Sequence, residues 1–313
     1  MTAEKTIPLC DPHFHLWNLP ERPNPNLGDG ALSGYSPADY EADMAQLPPQ
    51  LDLVSHVHVE TVVGQKEGGA VVDTVDETRW VHGQLDAAGT RPFGIVAYVH
   101  LARPLAQVET VLDRHAEAAG GSLCGVRQIL NFDAADDART WPQVEGDLLE
   151  RPAFSEGLAA LQRRGLSFDL SCHPEQAEAA VAVLRRHPEL RVVINHLSFL
   201  REGHEAVWRR GLSELASLPN AYMKLSMLPW GHPDYHKDAD RMARVGGYVR
   251  EAIDAFGTDR CMFASNYPVD KAMGIGIADL YGGFVQWSEG YSDAERLALF
   301  HDTAVRAYGG FSG

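Results

Sequence analysis

Short apolar runs alternate with longer amphipathic stretches along almost the whole chain. The short runs carry the residues favoured in buried strands, and eight of them can be separated. They cover residues 7–17, 55–63, 92–100, 123–130, 166–173, 191–198, 221–226 and 260–267. The stretches between them repeat their apolar positions with a helical period. Helices are predicted over residues 73–88, 105–119, 153–164, 175–186, 205–218 and 241–256.

Strands that alternate with helices predict right-handed βαβ units and a parallel sheet. Eight repeats favour closure into a single (β/α)₈ TIM barrel, and an open doubly wound sheet is the alternative. A barrel needs about 250 residues, so the 313 residues of this chain leave room for loops. We therefore predict one domain over residues 1–313, with loop insertions near 18–36 and 228–240 and closing helices over 281–313.

Composition and charge narrow the class of partner. The chain is 45% hydrophobic and 22% charged, as in ordinary globular proteins, and its net charge is −16. Nucleic acid and anionic membranes are bound through clusters of Lys and Arg. The negative net charge disfavours both, so neither is an expected partner. No run approaches the roughly 20 apolar residues of a membrane span, and residues 1–10 lack a signal-peptide core. A small-molecule substrate is expected, and the oligomeric state is left open.

The four cysteines are scattered and show no metal-binding or redox spacing. Each lies within a predicted strand, which indicates buried free thiols. A reducing cytoplasm is therefore the expected location.

The first predicted strand carries the segment DPHFHLW over residues 11–17. Strand alternation predicts that Asp11, His13 and His15 share one face, with Phe14 turned towards the surrounding helices. Two imidazoles at this spacing can bind one metal ion if a third ligand faces them. Two structural histidines paired with core carboxylates are the alternative.

Two further histidines lie at the ends of predicted strands. His173 ends the fifth strand and His196 ends the sixth. The carboxyl ends of barrel strands meet at one mouth, where enzymes of this fold keep their chemistry. We therefore predict that His13, His15, His173 and His196 converge there on a divalent metal, with zinc as the expected ion.

The chain resembles the amidohydrolase superfamily. Within it, the chain is similar to the metal-dependent hydrolase branch that contains sugar lactonases and 2-pyrone-4,6-dicarboxylate lactonase. The matching segments are residues 11–17 (DPHFHLW), 77–80 (ETRW), 125–130 (GVRQIL), 195–196 (NH) and 261–270 (CMFASNYPVD). They keep the order of the family. The resemblance implies hydrolysis of a cyclic ester by water, and it implies that His13, His15 and His196 bind metal or polarise the carbonyl. Some members of the branch work without a tightly bound metal.

The chain departs from the family pattern at the eighth strand. The family usually carries an aspartate there, as metal ligand and as the base that takes a proton from water, and here the position is Asn266. An amide is not a general base and is a poor zinc ligand. Asp270, Glu60 and Asp169 are the candidate replacements. A salt bridge from Asp270 to Lys271 or Arg260 is the alternative for Asp270, and orientation of a histidine is the alternative for Asp169.

Glu60 follows His56 and His58 in the second predicted strand. Strand alternation places these three side chains on one face. The prediction names Asp270, Glu60 and His196 as catalytic.

Two cations stand in otherwise apolar strands, Arg127 in the fourth and Lys224 in the seventh. Burial of an unpaired cation is costly, so each is expected to meet a carboxylate of the substrate or of the protein. For the protein, Glu60 and Asp169 are the expected ion-pair partners. With Asn266, Tyr267 and Trp17, these cations form the predicted substrate-binding set, and Trp230 is a further aromatic at the mouth.

The predicted function is that of a hydrolase that opens a small lactone by attack of water on the ring carbonyl. The carbonyl would be polarised by the histidine cluster or by its metal. Two alternatives are a metal-dependent decarboxylase of the wider superfamily and a barrel that binds a ligand without hydrolysing it. The sequence does not identify the substrate.

Overall fold

The structure is a computed structural model that describes residues 6–21, 32–61, 73–89, 91–141, 144 and 146–310. Eight strands form its central sheet. They are β1 (Ile7–Phe14), β2 (Leu51–Val59), β3 (Phe93–Tyr98), β4 (Leu123–Ile129), β5 (Ser167–Ser171), β6 (Val192–Ile194), β7 (Ala221–Leu225) and β8 (Cys261–Phe263). A separate two-stranded antiparallel pair joins Trp17–Asn18 to Gly34–Tyr35.

The eight strands are parallel and lie in sequence order, from β1 to β8. The two ends of the sheet meet just beyond β8, where a parallel bridge joins Phe14 to Tyr267. Two backbone hydrogen bonds complete that junction, from His15 N to Tyr267 O (2.7 Å) and from Asn266 N to His13 O (2.8 Å). The predicted (β/α)₈ barrel is therefore confirmed.

In the described part of the chain, twelve α-helices surround the barrel or cover its ends. They are α1 (Pro37–Met44), α2 (Val75–Ala88), α3 (Leu105–Ala118), α4 (Pro152–Arg163), α5 (Ala177–Leu184), α6 (Glu205–Ala216), α7 (Leu228–Gly231), α8 (Ala239–Phe256), α9 (Val269–Ala272), α10 (Ile277–Trp287), α11 (Asp293–Leu297) and α12 (Thr303–Tyr308). A π-helical turn, Ala298–Asp302, joins the last two. Within the described residues, no helix is long and apolar enough to cross a membrane.

Of the two segments predicted as loops, the first leads into a helix and the second contains one. The insertion near 18–36 is followed at once by α1, which begins with a capping box between Ser36 and Asp39. Residues 22–31 of that insertion lie outside the described part of the chain. In the second insertion, α7 and a short 3₁₀ turn (Tyr235–Lys237) precede α8. The Pro and His residues that suggested a loop there allow these short helical turns.

Apolar side chains form two layers. Cys10, Val57, Val96, Val193 and Met262 belong to a cluster that fills the inside of the barrel. A larger cluster packs the outer face of the strands against the helices, as where Phe168 of β5 meets Phe154 of α4. All four cysteines are free and buried, as predicted.

Candidate active site

The side chains of three histidines meet at the carboxyl ends of the strands. His13 and His15 come from the end of β1, and His196 follows β6 directly. The two Nε2 atoms of His13 and His15 are 3.2 Å apart, and the rings of His13 and His196 have their centroids 4.6 Å apart. All three side chains are buried. The structure thus brings together three of the four predicted metal ligands.

His173 lies apart from this cluster. Its Nε2 is 2.7 Å from the Arg139 carbonyl oxygen, and its Nδ1 is 3.3 Å from the side-chain nitrogen of Asn131. Its ring faces Phe199, with centroids 6.4 Å apart. Since both ring nitrogens are engaged by the loop after β4, His173 does not join the other three.

Asp11 does not share the face of His13 and His15. The pairing of β1 with β2 shifts register between Asp11 and Phe14, and this irregularity breaks the simple alternation. Asp11 accepts hydrogen bonds from the backbone (2.9 Å) and hydroxyl (2.6 Å) of Ser265 and from the hydroxyl of Tyr40 in α1 (2.9 Å). Asp11 therefore joins the two ends of the barrel and supports the site without facing it.

A left-handed turn carries His196 into the site. His196, Leu197, Ser198 and Phe199 all have positive φ, between 50° and 60°. Such a conformation costs a non-glycine residue about 1 kcal/mol, and strain of this kind is concentrated at functional sites. The indole nitrogen of Trp208 donates to Leu197 O (2.8 Å) and helps to hold the turn.

The same turn places Phe199 beside His196. Their ring centroids are 5.6 Å apart, and Phe199 also contacts Trp230 at 5.7 Å. Trp230 in α7 is 39% exposed, so these aromatic rings run from the buried histidine to solvent. Phe199 is absent from the sequence-based prediction, because a left-handed turn built from non-glycine residues leaves no signal in the sequence.

The two cations in the strands form buried ion pairs with protein carboxylates. Arg127 Nε donates to Glu60 (2.6 Å), and a second guanidinium nitrogen donates to the Glu60 carbonyl. Lys224 Nζ donates to Asp169 (2.6 Å) and lies 3.3 Å from His13 Nδ1. These are the ion pairs considered as alternatives to substrate binding. Lys224 is fully buried, between Asp169 and His13.

Glu77 is a second acidic group beside Glu60. It is buried at the start of α2, where its carboxylate accepts hydrogen bonds from the backbone (2.7 Å) and hydroxyl (3.0 Å) of Thr61. Burial, and then the negative charge of Glu60, raise the pKa of Glu77 to about 8. Glu77 begins the ETRW segment of the sequence, and the fold brings it close to Glu60.

Asn266 and Asp270 are hydrogen-bonded to each other after β8. Asn266 has a left-handed backbone (φ 54°), and its side-chain nitrogen donates to Asp270 Oδ1 at 2.7 Å. Burial raises the pKa of Asp270 to about 8, although hydrogen bonds from Asn266 and the Met227 backbone oppose the rise.

The salt bridges considered for Asp270 are not formed. Lys271 pairs with Asp43 at 2.8 Å, and Arg260 donates to backbone carbonyls, including Leu218 O at 2.8 Å.

Burial keeps the clustered histidines neutral. It lowers the pKa of His13 and His196 well below the usual value, and the nearby cations Lys224 and Arg127 act in the same direction. The pKa of His15 falls to about 3 through burial and Arg127, although hydrogen bonds to Val59 and Asn266 oppose the fall. Neutral imidazoles are the form that binds metals.

Two predicted aromatic residues donate their polar hydrogens to backbone carbonyl oxygens. Tyr267 is buried, and its hydroxyl donates to Ile275 O (2.6 Å). The indole nitrogen of Trp17 donates to Leu32 O (2.7 Å), while the Trp17 ring stacks near His15 with centroids 6.4 Å apart. Tyr267 supports the junction of the barrel, and Trp17 lies against the site.

The histidine cluster fits a divalent metal by the type and spacing of its donors. Two imidazole nitrogens on one tetrahedral zinc, each bonded at about 2.0–2.1 Å, stand about 3.3 Å apart, close to the 3.2 Å between His13 and His15. Across the described part of the chain, however, no three His, Cys, Asp or Glu side chains are already arranged around one point. A third ligand such as His196 would have to turn towards the ion.

Comparisons with known proteins identify the family of this chain. A family model described as amidohydrolase matches residues 10–310. An L-fucono-1,5-lactonase of Burkholderia ambifaria is 30% identical over 307 residues, which cover 96% of this chain and 92% of that protein.

Solved structures agree in fold. A zinc-bound amidohydrolase of Burkholderia multivorans has a TM-score of 0.76 at 26% identity and covers 96% of this chain and 99% of that one. A probable 2-pyrone-4,6-dicarboxylic acid hydrolase of Acinetobacter baumannii, with citric acid bound, has a TM-score of 0.68. It is 12% identical, with coverage of 96% and 99%, and shares the fold.

Proposed function

This chain belongs to the amidohydrolase family, and we propose that it is a hydrolase that opens a small lactone by attack of water on the ring carbonyl. The observation that carries the proposal is the buried, neutral group of His13, His15 and His196 at the mouth of the barrel. The L-fucono-1,5-lactonase relative supports a sugar lactone as the substrate class.

His13 and His15 would hold a divalent metal, with His196 as the third ligand. Zinc is the ion proposed, because imidazole nitrogens suit it and a related amidohydrolase structure contains it. When bound, such an ion polarises a carbonyl and lowers the pKa of water. Without it, the N–H group of the neutral His196 imidazole can still donate a hydrogen bond to a lactone carbonyl.

Asp270 is the proposed base. It would take a proton from water as the water oxygen bonds to the carbonyl carbon. The protonated Asp270 would then return that proton to the ring oxygen as the ring C–O bond breaks. With a pKa of about 8, Asp270 is a base matched to neutral or slightly alkaline conditions. Glu60 is the weaker candidate, because Arg127 holds its carboxylate in an ion pair.

The walls of the mouth favour a small ligand with both polar and apolar faces. Phe199 and Trp230 offer aromatic faces on which the C–H side of a sugar ring can lie. Arg127 has guanidinium N–H groups beyond the two that bind Glu60, and these can donate to ring hydroxyls or to a carboxylate.

A panel of lactones tests this function. Acid release is followed with a pH indicator over sugar 1,5-lactones, muconolactones and pyrone carboxylates, with the spontaneous rate subtracted. We expect saturable hydrolysis of at least one sugar lactone and loss of that rate in His13→Ala. Evolution of CO₂ from an aromatic acid, with no acid release from any lactone, would instead support a decarboxylase.

A further inference from the structure

A continuous chain of polar groups runs through the inside of the barrel to the histidines. The Tyr308 hydroxyl of α12 donates to Asp169 (2.9 Å), and Asp169 accepts from Lys224 Nζ (2.6 Å). Lys224 Nζ lies 3.3 Å from His13 Nδ1, and His13 Nε2 lies 3.2 Å from His15 Nε2. His15 Nδ1 ends the chain, 2.7 Å from Val59 O.

The two ends of this chain determine where the imidazole protons lie. An ammonium group only donates, so His13 Nδ1 must accept, and the single N–H of the neutral ring is on Nε2. A carbonyl oxygen only accepts, so His15 must carry its N–H on Nδ1 and keep a lone pair on Nε2. The contact between the two Nε2 atoms is then one hydrogen bond, from His13 to His15.

In the metal-free protein this arrangement leaves His15 ready to bind a metal, whereas the proton of His13 would have to move before His13 could bind one. A histidine that binds metal usually donates its other N–H to a carboxylate or a carbonyl. His15 does so towards Val59. To offer a lone pair on Nε2, His13 would have to carry its proton on Nδ1, where the N–H would point at the Lys224 ammonium. Two donors would then face each other in the buried interior, which is costly.

We propose that Lys224 is a positioning residue that fixes the tautomer of His13 and thereby weakens divalent-metal binding by the His13–His15 pair. The inference rests on the metal-binding part of the proposed function. Asp169 compensates the charge of Lys224, and Tyr308 gives Asp169 a further hydrogen bond. Lys224 therefore holds His13 as a hydrogen-bond donor in the metal-free protein.

Zinc affinity of the full-length protein tests this role. The double variant Asp169→Leu/Lys224→Met removes the buried ion pair without changing net charge, and it leaves His13 Nδ1 without its donor. We expect its zinc dissociation constant, measured by competition with a chromophoric chelator, to fall at least about tenfold below wild type. Tyr308→Phe is the matched control, because it removes one hydrogen bond to Asp169 and keeps Lys224 against His13. Its zinc affinity should stay within about twofold of wild type.

Zinc binding no tighter in the folded double variant would overturn the proposal. A measurement on the wild-type protein covers the case in which that variant fails to fold. Long-range ¹H–¹⁵N correlation spectra of the zinc-free protein, assigned with His13→Gln, should show His13 protonated on Nε2 and His15 on Nδ1. A His13 ring protonated on Nδ1 would refute the assignment. Neither readout uses lactone hydrolysis, so failure here and failure of the lactonase proposal can be told apart.

Discussion

Asn266 donates its side-chain amide to Asp270 across 2.7 Å, and both side chains are buried. The resemblance to the family implies an aspartate where this chain has Asn266, and the carboxylate beside this amide is that of Asp270, in α9. Asn266 keeps a link to the histidines through its hydrogen bond with His15. The amide therefore connects Asp270 to the histidine cluster.

The first prediction concerns Asp270 as the base. Asp270→Asn should lower kcat by at least about 100-fold, because general-base catalysis contributes about 10²–10⁴. Only the carboxylate can accept a proton, so wild-type kcat/KM should rise with pH and level off above about 8, the pKa of Asp270. Initial rates of lactone opening between pH 6 and 9 measure both effects.

Glu60→Gln is the control for Asp270→Asn. If Glu60→Gln removes the rise with pH and Asp270→Asn keeps it, then Glu60 is the base. If the Asp270→Asn enzyme works within a few-fold of wild type, Asp270 has no such role.

The second prediction concerns the pair itself. Asn266→Asp puts two carboxyl groups at hydrogen-bonding distance, where like charges cannot both ionise cheaply and one proton is shared. In the unfolded chain both carboxyl groups lose their protons freely. As pH rises, the folded pair either retains the shared proton or carries two repelling charges, so the free energy of unfolding should fall. We expect a loss of about 1–3 kcal/mol relative to wild type at pH 9 and a smaller one at pH 6, by urea denaturation. Equal losses at both values would contradict the shared proton.

Much of the barrel could be predicted from the sequence, because each buried strand is an apolar run of its own. The predicted strand ends were less accurate. Strands predicted to end at His173, Ser198 and Tyr267 end at Ser171, Ile194 and Phe263. In each case the chain leaves the ladder just before the site and adopts turns, some with positive φ. Residues 172–173, 195–198 and 264–267 contain no Gly or Pro that would mark a strand end, so the sequence pattern extends each strand too far.

The site was predictable in part. His13, His15 and His196 could be placed together because the carboxyl ends of barrel strands meet. The misplacement of Asp11 came from a register irregularity in β1, which alternation does not reveal. Which carboxylate pairs with Arg127 or Lys224 depends on contacts between residues far apart in the sequence. For these two cations the sequence predicts a carboxylate partner, which could belong to the substrate or to the protein.

The third prediction concerns the strained turn after β6. Ser198 has φ 52° and ψ 39°, and its hydroxyl is buried with no hydrogen-bond partner among the described residues. Ser198→Gly removes both the cost of the left-handed conformation and that of the unpaired hydroxyl, so we expect a gain of about 1 kcal/mol in the free energy of unfolding. Ser213→Gly, at an exposed position inside α6, is the matched control and should lose about 0.5–1 kcal/mol. Losses of the same sign at both positions would show that the turn stores no strain.

The last prediction concerns His56, which lies in β2 among the rings of Phe14, Tyr40 and Phe93. Both of its ring nitrogens are buried without a hydrogen-bond partner in the described part of the chain. Burial, helped by the charge of Arg91, lowers its pKa to about 3. The folded state therefore binds fewer protons than the unfolded state between pH 3 and 6.5. His56 thus makes stability fall as pH drops through this window, by about 1.4 kcal/mol per pH unit.

His56→Leu removes that proton, so the variant should lose about 2–3 kcal/mol less than wild type when the pH drops from 7 to 4.5. At pH 7 it should be as stable as wild type or about 1 kcal/mol more stable, because two unpaired polar atoms are replaced by an apolar side chain. Urea denaturation at the two pH values measures both effects. His204→Leu, on the exposed segment before α6, is the control and should keep the wild-type pH dependence. If His56→Leu also keeps it, then His56 is protonated or solvated in the folded protein, and the packing of β2 against α1 must be more open than described.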